Sequence, residues 1–265
     1  MAQISGSGQS EAGILGTSEK EDGVLGLGNA PGKAGVAGVN ENSGNGVFGR
    51  GFNGLFGDGK DGNGVVGVSQ NNDGVLGIGN ISAKAGVAGV NDNGGNGLFG
   101  RGGNGVFATS NVAGGKAGVF DGDVLVTGDL LLAGADYAEA LTAADPAVAP
   151  GTVVIVGEDG QVQACEQEYD TAVAGIVSGT GGEKPAVVLD RHDGGVAVAL
   201  VGKVWCLADA DATPIHPGNL LTTSSTNGHA RRVTEPHRAL GAIIGKALTP
   251  LASGRGLVRV LVSPR

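Results

Sequence analysis

The side chains that most often bind metals or act as acids and bases are few in this chain and widely spaced. Its four histidines show neither HxH nor HExxH spacing. They are His192, His216, His229 and His237. The last three can form a metal site with Asp209 or Asp211 only if the fold brings them together, and no zinc signature marks them. The sequence therefore predicts no metal site and no cofactor.

The cysteines and the glycine motifs give no catalytic signature. Cys165 and Cys206 are too few and too far apart for a disulfide scaffold or a zinc ribbon, so buried thiols in a reducing compartment are predicted. No GxSxG nucleophile elbow and no Walker motif occurs, and Gly-x-Gly recurs only because glycine is abundant. Trp205 lies within an apolar run and is predicted to belong to a core.

Two arginines occupy equivalent positions in a repeated stretch. Residues 45–57 read NGVFGRGFNGLFG and residues 96–108 read NGLFGRGGNGVFA, which aligns Arg50 with Arg101. Each arginine could bind an anion or form an ion pair with another chain. The alternative is that its side chain simply extends from an apolar surface into water. The nearby Asn-rich turns lack calcium-binding chemistry, because Gly51 and Gly102 stand where an EF-hand loop needs a bidentate Glu.

Charge and hydropathy exclude several classes of partner. The net charge is −9 and no basic stripe occurs, so nucleic acid is not a predicted partner. No apolar stretch reaches the roughly 18 residues of a membrane span. The first residues, MAQISGSGQSEAGILG, show no secretory signal, so we expect synthesis in the cytoplasm.

The first half of the chain is a repeat that is rich in glycine. It holds 38 of the 54 glycines within residues 1–134. The unit is Gly, a β-branched or Leu residue, a second apolar residue and usually Gly, as in GVLG at 23 and GVFG at 46. Five units make a 51-residue superrepeat, 13–63 against 64–114, with 29 identities. Short strands separated by Asn, Asp and Gly turns, with no helix, predict a β-solenoid or β-spiral shaft.

The adjacent apolar pairs favour several intertwined chains. Neighbouring side chains on a strand point to opposite faces, so Val47 and Phe48 face opposite sides. A monomeric solenoid would leave one of these two rows in water. Three chains around one axis bury both rows, and glycine then permits the close approach of backbones. The sequence thus favours a homotrimeric fibre over a monomeric solenoid.

The second half reads as a compact β-domain, either a barrel or a sandwich. Apolar runs alternate with turns after residue 150, and EDGQ at 158–161 is a hairpin signal. A short helical turn is possible at DYAEALTAAD, and a last pair of shaft strands is predicted within residues 118–134. An internal echo at an offset of 67 relates PGTVVIV at 150 to PGNLLTT at 217, and AGIVSG at 174 to GAIIGK at 241. It implies two similar β-units with VALVGKVWCLA between them.

One resemblance adds to this interpretation. The run GADYAE at 134–139, a following GxVV strand, a DG turn and VAGIVSG at 173–179 resemble the autocleaving intramolecular-chaperone domain of phage neck-appendage and tail-fibre proteins. Residues 134–262 also resemble domains that follow GVxG repeats in bacterial proteins. The resemblance implies a trimeric fibre, and in its autocleaving members a serine that a lysine activates. The matching residues are Ser178 as nucleophile, with Lys203 or Lys246 as base.

Three hypotheses follow for an all-β chain divided into a tail at 1–12, a shaft at 13–134 and a β-domain at 135–265. The first is a homotrimeric structural fibre or spike of a phage tail or phage-like particle. Its partners would be its own copies and a particle protein, a baseplate protein or a cell-surface receptor. The second is a self-cleaving Ser/Lys chaperone, and the third is a monomeric β-solenoid that binds a ligand.

Overall fold

The computed structural model describes residues 14–81 and 84–263. Its contacts divide the chain into two units, Met1–Ala117 and Gly118–Arg265. The described residues contain ten β-strands, two short 3-10 turns and no α-helix, so the predicted all-β class is confirmed. The predicted tail at 1–12 lies outside the described residues, and the predicted domain boundaries stay predictions.

The first unit has few backbone-to-backbone hydrogen bonds. Every described residue from 14 to 134 is exposed, including the apolar pairs of the repeat. Phe52 is fully exposed to solvent, and Phe48 is 75% exposed. Within residues 14–81 and 84–117, three backbone-to-backbone hydrogen bonds form, and each closes a local turn.

Consecutive repeat units approach each other through glycine. The last glycine of one unit lies against the first glycine of the next, so a Cβ on Gly67 would stand 2.5 Å from the carbonyl oxygen of Gly74. The same approach recurs along the unit, at the pairs 16/23, 26/35, 38/46, 49/54, 57/64, 77/86, 89/97 and 100/105. Any side chain larger than hydrogen at these positions requires the backbone to move.

The strands predicted for each repeat unit, and the predicted last pair at 118–134, are not formed in the single chain. No residue described between 14 and 135 lies in a hydrogen-bonded strand. A strand needs a neighbour that accepts and donates along its length, and neighbouring units of one chain meet glycine to glycine without such a ladder. The prediction was wrong for an isolated chain for this reason.

All ten strands lie in the second unit. In chain order they are β1 Asp136–Thr142, β2 Val153–Val156, β3 Val162–Ala164, β4 Val173–Val177, β5 Val187–Leu189, β6 Gly195–Asp209, β7 Leu220–Thr223, β8 Ala230–Arg232, β9 Ile243–Ala247 and β10 Arg255–Val262. The 3-10 turns are Thr180–Gly182 and Pro236–Arg238. EDGQ joins β2 to β3 as an antiparallel hairpin, as predicted, with Gly160 at φ 79°.

The sheet closes into two rings of five strands that share β6. In one ring the first half of β6 pairs with β1 and β4, β4 pairs with β2, and β2 pairs with β3. A parallel bridge between Ala143 and Val162 closes that ring. In the other, the second half of β6 pairs with β10, followed by β9, β7 and β8. A parallel pair between Ala208 and Ala230 closes it, and the predicted barrel is confirmed.

The internal echo in the sequence is a duplication of this ring. β2 and β7 are 67 residues apart, and each pairs with the two strands that follow it. A register shift lies between Val154 and Ile155 in one copy and between Leu221 and Thr222 in the other, again 67 apart. The last strand departs from the predicted offset, because Gly175 of β4 corresponds to Gly245 of β9, 70 residues away. One of the three extra residues lies between β7 and β8, and the other two lie between β8 and β9.

Three apolar clusters pack within the unit, and β6 contributes to the two largest. Val198 belongs to the smaller cluster and its neighbour Ala199 to the larger one, so both faces of the strand are buried here. The larger cluster includes Ile176, Ile215, Leu221, Ile244, Val258 and Val260, all of them fully buried. Full burial of side chains of this size supplies most of the stability of such a domain.

Two elements differ from the sequence-based prediction in the second unit. DYAEALT forms the strand β1 rather than a helical turn, since its residues alternate between buried and more exposed positions along a full partner strand. β8 was not predicted, because ARR carries a single apolar residue, and that residue, Ala230, is fully buried.

Candidate functional site

Backbone hydrogen bonds on both sides fix the position at which the chain begins β1. The Ala135 amide donates to Lys184 O at 3.1 Å, and the Lys203 amide donates to Ala135 O at 3.0 Å. Gly134 lies directly against the backbone of residues 185–186, where no Cβ would fit. The first residues after the repeat region are therefore held rigidly between β6 and the segment that precedes β5.

A buried carboxyl group begins β1. The Asp136 side chain is 4% exposed, and its Oδ1 accepts a hydrogen bond from Ser178 Oγ at 2.9 Å. Burial raises the pKa of Asp136, the Ser178 hydrogen bond lowers it, and the negative charge of Glu183 raises it further. The net effect is a raised pKa, so Asp136 holds its proton more tightly than a carboxyl group in water.

An ion pair and an aromatic ring stand beside this carboxyl group. Arg259 on β10 donates from Nη2 to Glu183 Oε1 at 2.5 Å. The same guanidinium lies 5.9 Å from the centre of the Trp205 ring on the paired strand β6, within the range of a cation–π contact. Trp205 is half-buried rather than in a core, and Gly181 lies so close to its indole ring that a Cβ there would clash with it.

Four buried side-chain atoms in this region have no hydrogen-bond partner. They are Asp136 Oδ2, Thr180 Oγ1, Glu183 Oε2 and Arg259 Nε, and in the part of the chain that the structure describes no other buried side-chain atom lacks one. Unsatisfied buried polar groups are rare in stable folds and mark places where a partner or a function intervenes. Their concentration at one place makes this region the candidate functional site.

A cleft of about 590 Å³ opens beside these groups, and Glu183 and Arg259 line it. We call it the junction cleft; residues that line it include Ala133, Gly134, Gly182, Lys184, Lys203 and Arg259. It therefore lies where the repeat region meets β1, and its walls carry two exposed lysines in addition to the Glu183–Arg259 pair.

The structure places the predicted catalytic residues as follows. Ser178 directly follows β4 and is 8% exposed, but its hydroxyl donates to Asp136 rather than to an amine. Lys203 and Lys246 are both exposed and lie in one cross-strand row, on either side of Leu261. Among the described residues, neither lysine hydrogen-bonds to Ser178. The catalytic roles of all three stay predictions.

The other residues singled out from the sequence have structural roles or remain exposed. Within residues 14–81 and 84–263, no group of three or more His, Cys, Asp or Glu side chains is arranged to hold a metal ion. Asp209 instead accepts hydrogen bonds from Thr226 Oγ1 and the Asp211 amide, which together with Arg255 lower its pKa against the opposing effect of burial. Arg50 and Arg101 are exposed.

Both cysteines are buried free thiols, as predicted. Burial raises the pKa of both, so at neutral pH they remain protonated and unreactive. Cys165 also donates to the carbonyl oxygen of His229 at 3.3 Å, which ties β3 to the turn before β8.

Sequence reasoning missed three members of the candidate site. Asp136, Glu183 and Arg259 come from β1, from a turn and from the last strand, so no local spacing links them. Asp136 lies within the GADYAE run on which the resemblance to phage fibre domains rests. An acidic residue at a position that the strand buries was the signal that could have identified it.

Replacing the buried carboxyl group should increase stability at neutral pH. Asp136→Asn keeps an oxygen that accepts from Ser178 and removes the charge that burial opposes. Because the folded-state pKa of Asp136 is raised, its stabilising neutral form is lost as pH rises through that pKa. We expect a higher urea midpoint for the variant near pH 7, with a gain on the order of 1 kcal/mol.

The gain should shrink near pH 4, where the carboxyl approaches its protonated form. Asp193→Asn, at an exposed position in the turn before β6, is the matched control and should change neither midpoint. A loss of stability in Asp136→Asn at pH 7 would show that the ionised carboxyl contributes favourably.

Comparison with known proteins gives little further information. In the described residues, no helix has both the length and the apolar character that crossing a bilayer requires. No protein-family model matches the chain, and no curated protein matches its sequence. Among solved structures, the head fibre gp8.5 N base of bacteriophage phi29 aligns over 49% of this chain and 90% of its own, with 17% identity and a TM-score of 0.26. This phage fibre protein is a distant structural neighbour, and so low a score carries no conclusion about function.

Proposed function

We propose that the protein is a homotrimeric structural fibre protein, in which residues 13–134 of three chains form a shaft and residues 135–265 hold the chains in register. The observation that carries the proposal is the exposure of every described residue from 14 to 134, apolar pairs included. A chain with Val, Leu and Phe at fixed intervals does not leave all of them in water as its final state.

The solvent-accessible area supports association. The chain exposes 19938 Å², whereas a folded monomer of 25.8 kDa is expected to expose about 10,500 Å². The excess is several times the roughly 800 Å² that each partner buries in a standard interface, and it matches the large apolar interfaces of obligate oligomers.

The geometry of the repeat favours three chains rather than two. In a strand, the two apolar residues of each unit would point to opposite sides. In the single chain, the backbone groups of these units lack ladder partners. Around a threefold axis, one apolar row faces the axis, the other packs on a neighbouring chain, and the free backbone groups pair between chains. Glycine at every unit boundary allows backbones to come this close.

The setting of the fibre follows from the resemblance of residues 134–262 to phage chaperone domains. We place the trimer in a phage tail or phage-like particle, with a particle or baseplate protein or a cell-surface receptor as partner. The −9 charge of each chain suits a soluble, mutually repelling surface on the assembled fibre.

The mass in solution tests the proposal. Light scattering on the purified full chain should give three times 25.8 kDa, with the same value over a range of concentrations. A monomer would contradict the fibre and favour the single-chain solenoid that binds a ligand. A stable dimer would contradict the threefold packing.

Self-cleavage is the second candidate, because Ser178 Oγ lies buried on a carboxylate that can accept its proton. We nevertheless expect Ser178→Ala to leave the length of the purified chain unchanged, since neither predicted lysine contacts the hydroxyl. Intact-mass measurement decides the question. Fragments that end near residue 134 in the unaltered protein, and that are absent in Ser178→Ala, would establish the self-cleaving chaperone.

A further inference from the structure

The junction cleft carries a local excess of positive charge on an acidic protein. Lys184 and Lys203 line it and are exposed, and no ion-pair partner of either lies among the described residues. Arg259, the third cation, is engaged by Glu183 on the same wall. Two lysines thus remain available to an anionic group that arrives from outside the domain.

Two residues of the cleft wall have an unpaired polar atom. Glu183 Oε2 and Arg259 Nε are buried and have no hydrogen-bond partner among the described residues. Such atoms regain hydrogen bonds when a polar group, or a water molecule that it orders, occupies the space above them. A polar group that enters the cleft can therefore approach Glu183 and Arg259 as well as the two lysines.

The segment that leads into the cleft has the complementary character. Residues 118–133 read GVFDGDVLVTGDLLLA, with Asp121, Asp123 and Asp129 and no basic residue. Its apolar side chains are exposed, and Leu131 keeps 90% of its exposure. Ala133 and Gly134 at the end of this segment line the cleft. If three chains wind around one another up to residue 134, residues 118–133 of a neighbouring chain therefore lie close to the same cleft.

We infer that the junction cleft of each chain seats the acidic segment 121–133 of a second copy, with Lys184 and Lys203 pairing with its aspartates. The inference rests on the proposed trimer and assigns the contact that sets the register of its three chains. Apolar residues of the segment then cover the cleft, so the ion pairs form away from bulk water, where they are stronger than exposed pairs.

Carbodiimide coupling of the natural side chains tests the contact. The reagent joins a lysine amine to a carboxylate only where the two meet. We expect treated full-length protein to give slower bands on a denaturing gel. Peptides from those bands should link Lys184 or Lys203 to an aspartate of residues 121–129, whereas the single-chain band should lack such peptides, because the linkage is between chains.

A charge-preserving variant makes the test specific. The double variant Lys184→Arg, Lys203→Arg keeps the ion pairs but removes the reactive amines, so the linked bands should disappear while the mass in solution stays unchanged. Lys246→Arg, on the same outer face of the barrel, is the matched control and should keep them.

The outcomes separate the two proposals. A monomer by light scattering overturns the trimer itself. The alternative outcome is a trimer in which Lys184 and Lys203 form no link to residues 121–129, or link to them only within one chain. That result is compatible with the trimeric fibre but contradicts the proposed contact between the junction cleft and a second copy.

Discussion

Deletion of residues 135–265 is expected to turn a uniform trimer into aggregated shafts of mixed length. The two superrepeats share 29 identities over 51 residues, so a chain that slips by one superrepeat still places identical residues at more than half of the superrepeat positions that overlap. Register is weakly specified under such conditions. Light scattering and electron microscopy of residues 1–134 alone should show a broad distribution of masses and unpaired ends.

The matched control removes one superrepeat and keeps the barrels. Deletion of residues 64–114 preserves the unit order across the join and leaves the junction cleft intact, so we expect a single trimeric species with a shorter shaft. A uniform, soluble trimer formed by residues 1–134 without the barrels would contradict the registering role of the β-domain.

A single methyl group at a unit boundary is expected to disrupt the shaft. In Gly67→Ala the new Cβ would lie 2.5 Å from the carbonyl oxygen of Gly74 and 2.6 Å from Cγ2 of Val75. The carbonyl oxygen is a backbone atom of the adjacent unit, so it cannot move away without separating the two backbones. Overpacking of this kind costs about 1–3 kcal/mol per site, and a trimer contains three sites. We expect a clear fall in the thermal midpoint of the trimer.

Gly62→Ala provides the comparison at a turn between the same superrepeats. A Cβ at Gly62 meets no atom within 4 Å, and the backbone there is not left-handed, so the substitution should be nearly neutral. Equal midpoints for the two variants, measured by circular dichroism at one protein concentration, would show that close approach of the units is not needed.

Periodicity made much of this fold predictable, and long-range pairing limited the rest. The repeat, the EDGQ hairpin and the runs that became β2, β6 and β10 all carry their signal within a few residues. β8 could not be found in this way, because Ala230 acquires its burial only when it closes a ring against Ala208. The strands of the repeat were predicted from local composition. They do not form in the single chain, because that chain supplies no hydrogen-bond partners for them.

The candidate site was predictable only in part. Ser178 was identified through the resemblance to phage fibre domains, whereas its partner Asp136 lies 42 residues earlier and on a different strand. The Glu183–Arg259 pair spans 76 residues. Contacts of this range depend on how β1, β6 and β10 lie side by side, which no motif records.

The shared strand β6 has a consequence for how the molecule comes apart. β1 pairs within residues 195–202 of β6 and β10 pairs with residues 202–209, so a single continuous backbone belongs to both rings. If one ring opens, β6 loses hydrogen bonds along half of its length. The other ring depends on the same strand and is therefore destabilised. We therefore expect the duplicated halves to melt in one cooperative transition, unlike tandem domains that are joined by a linker.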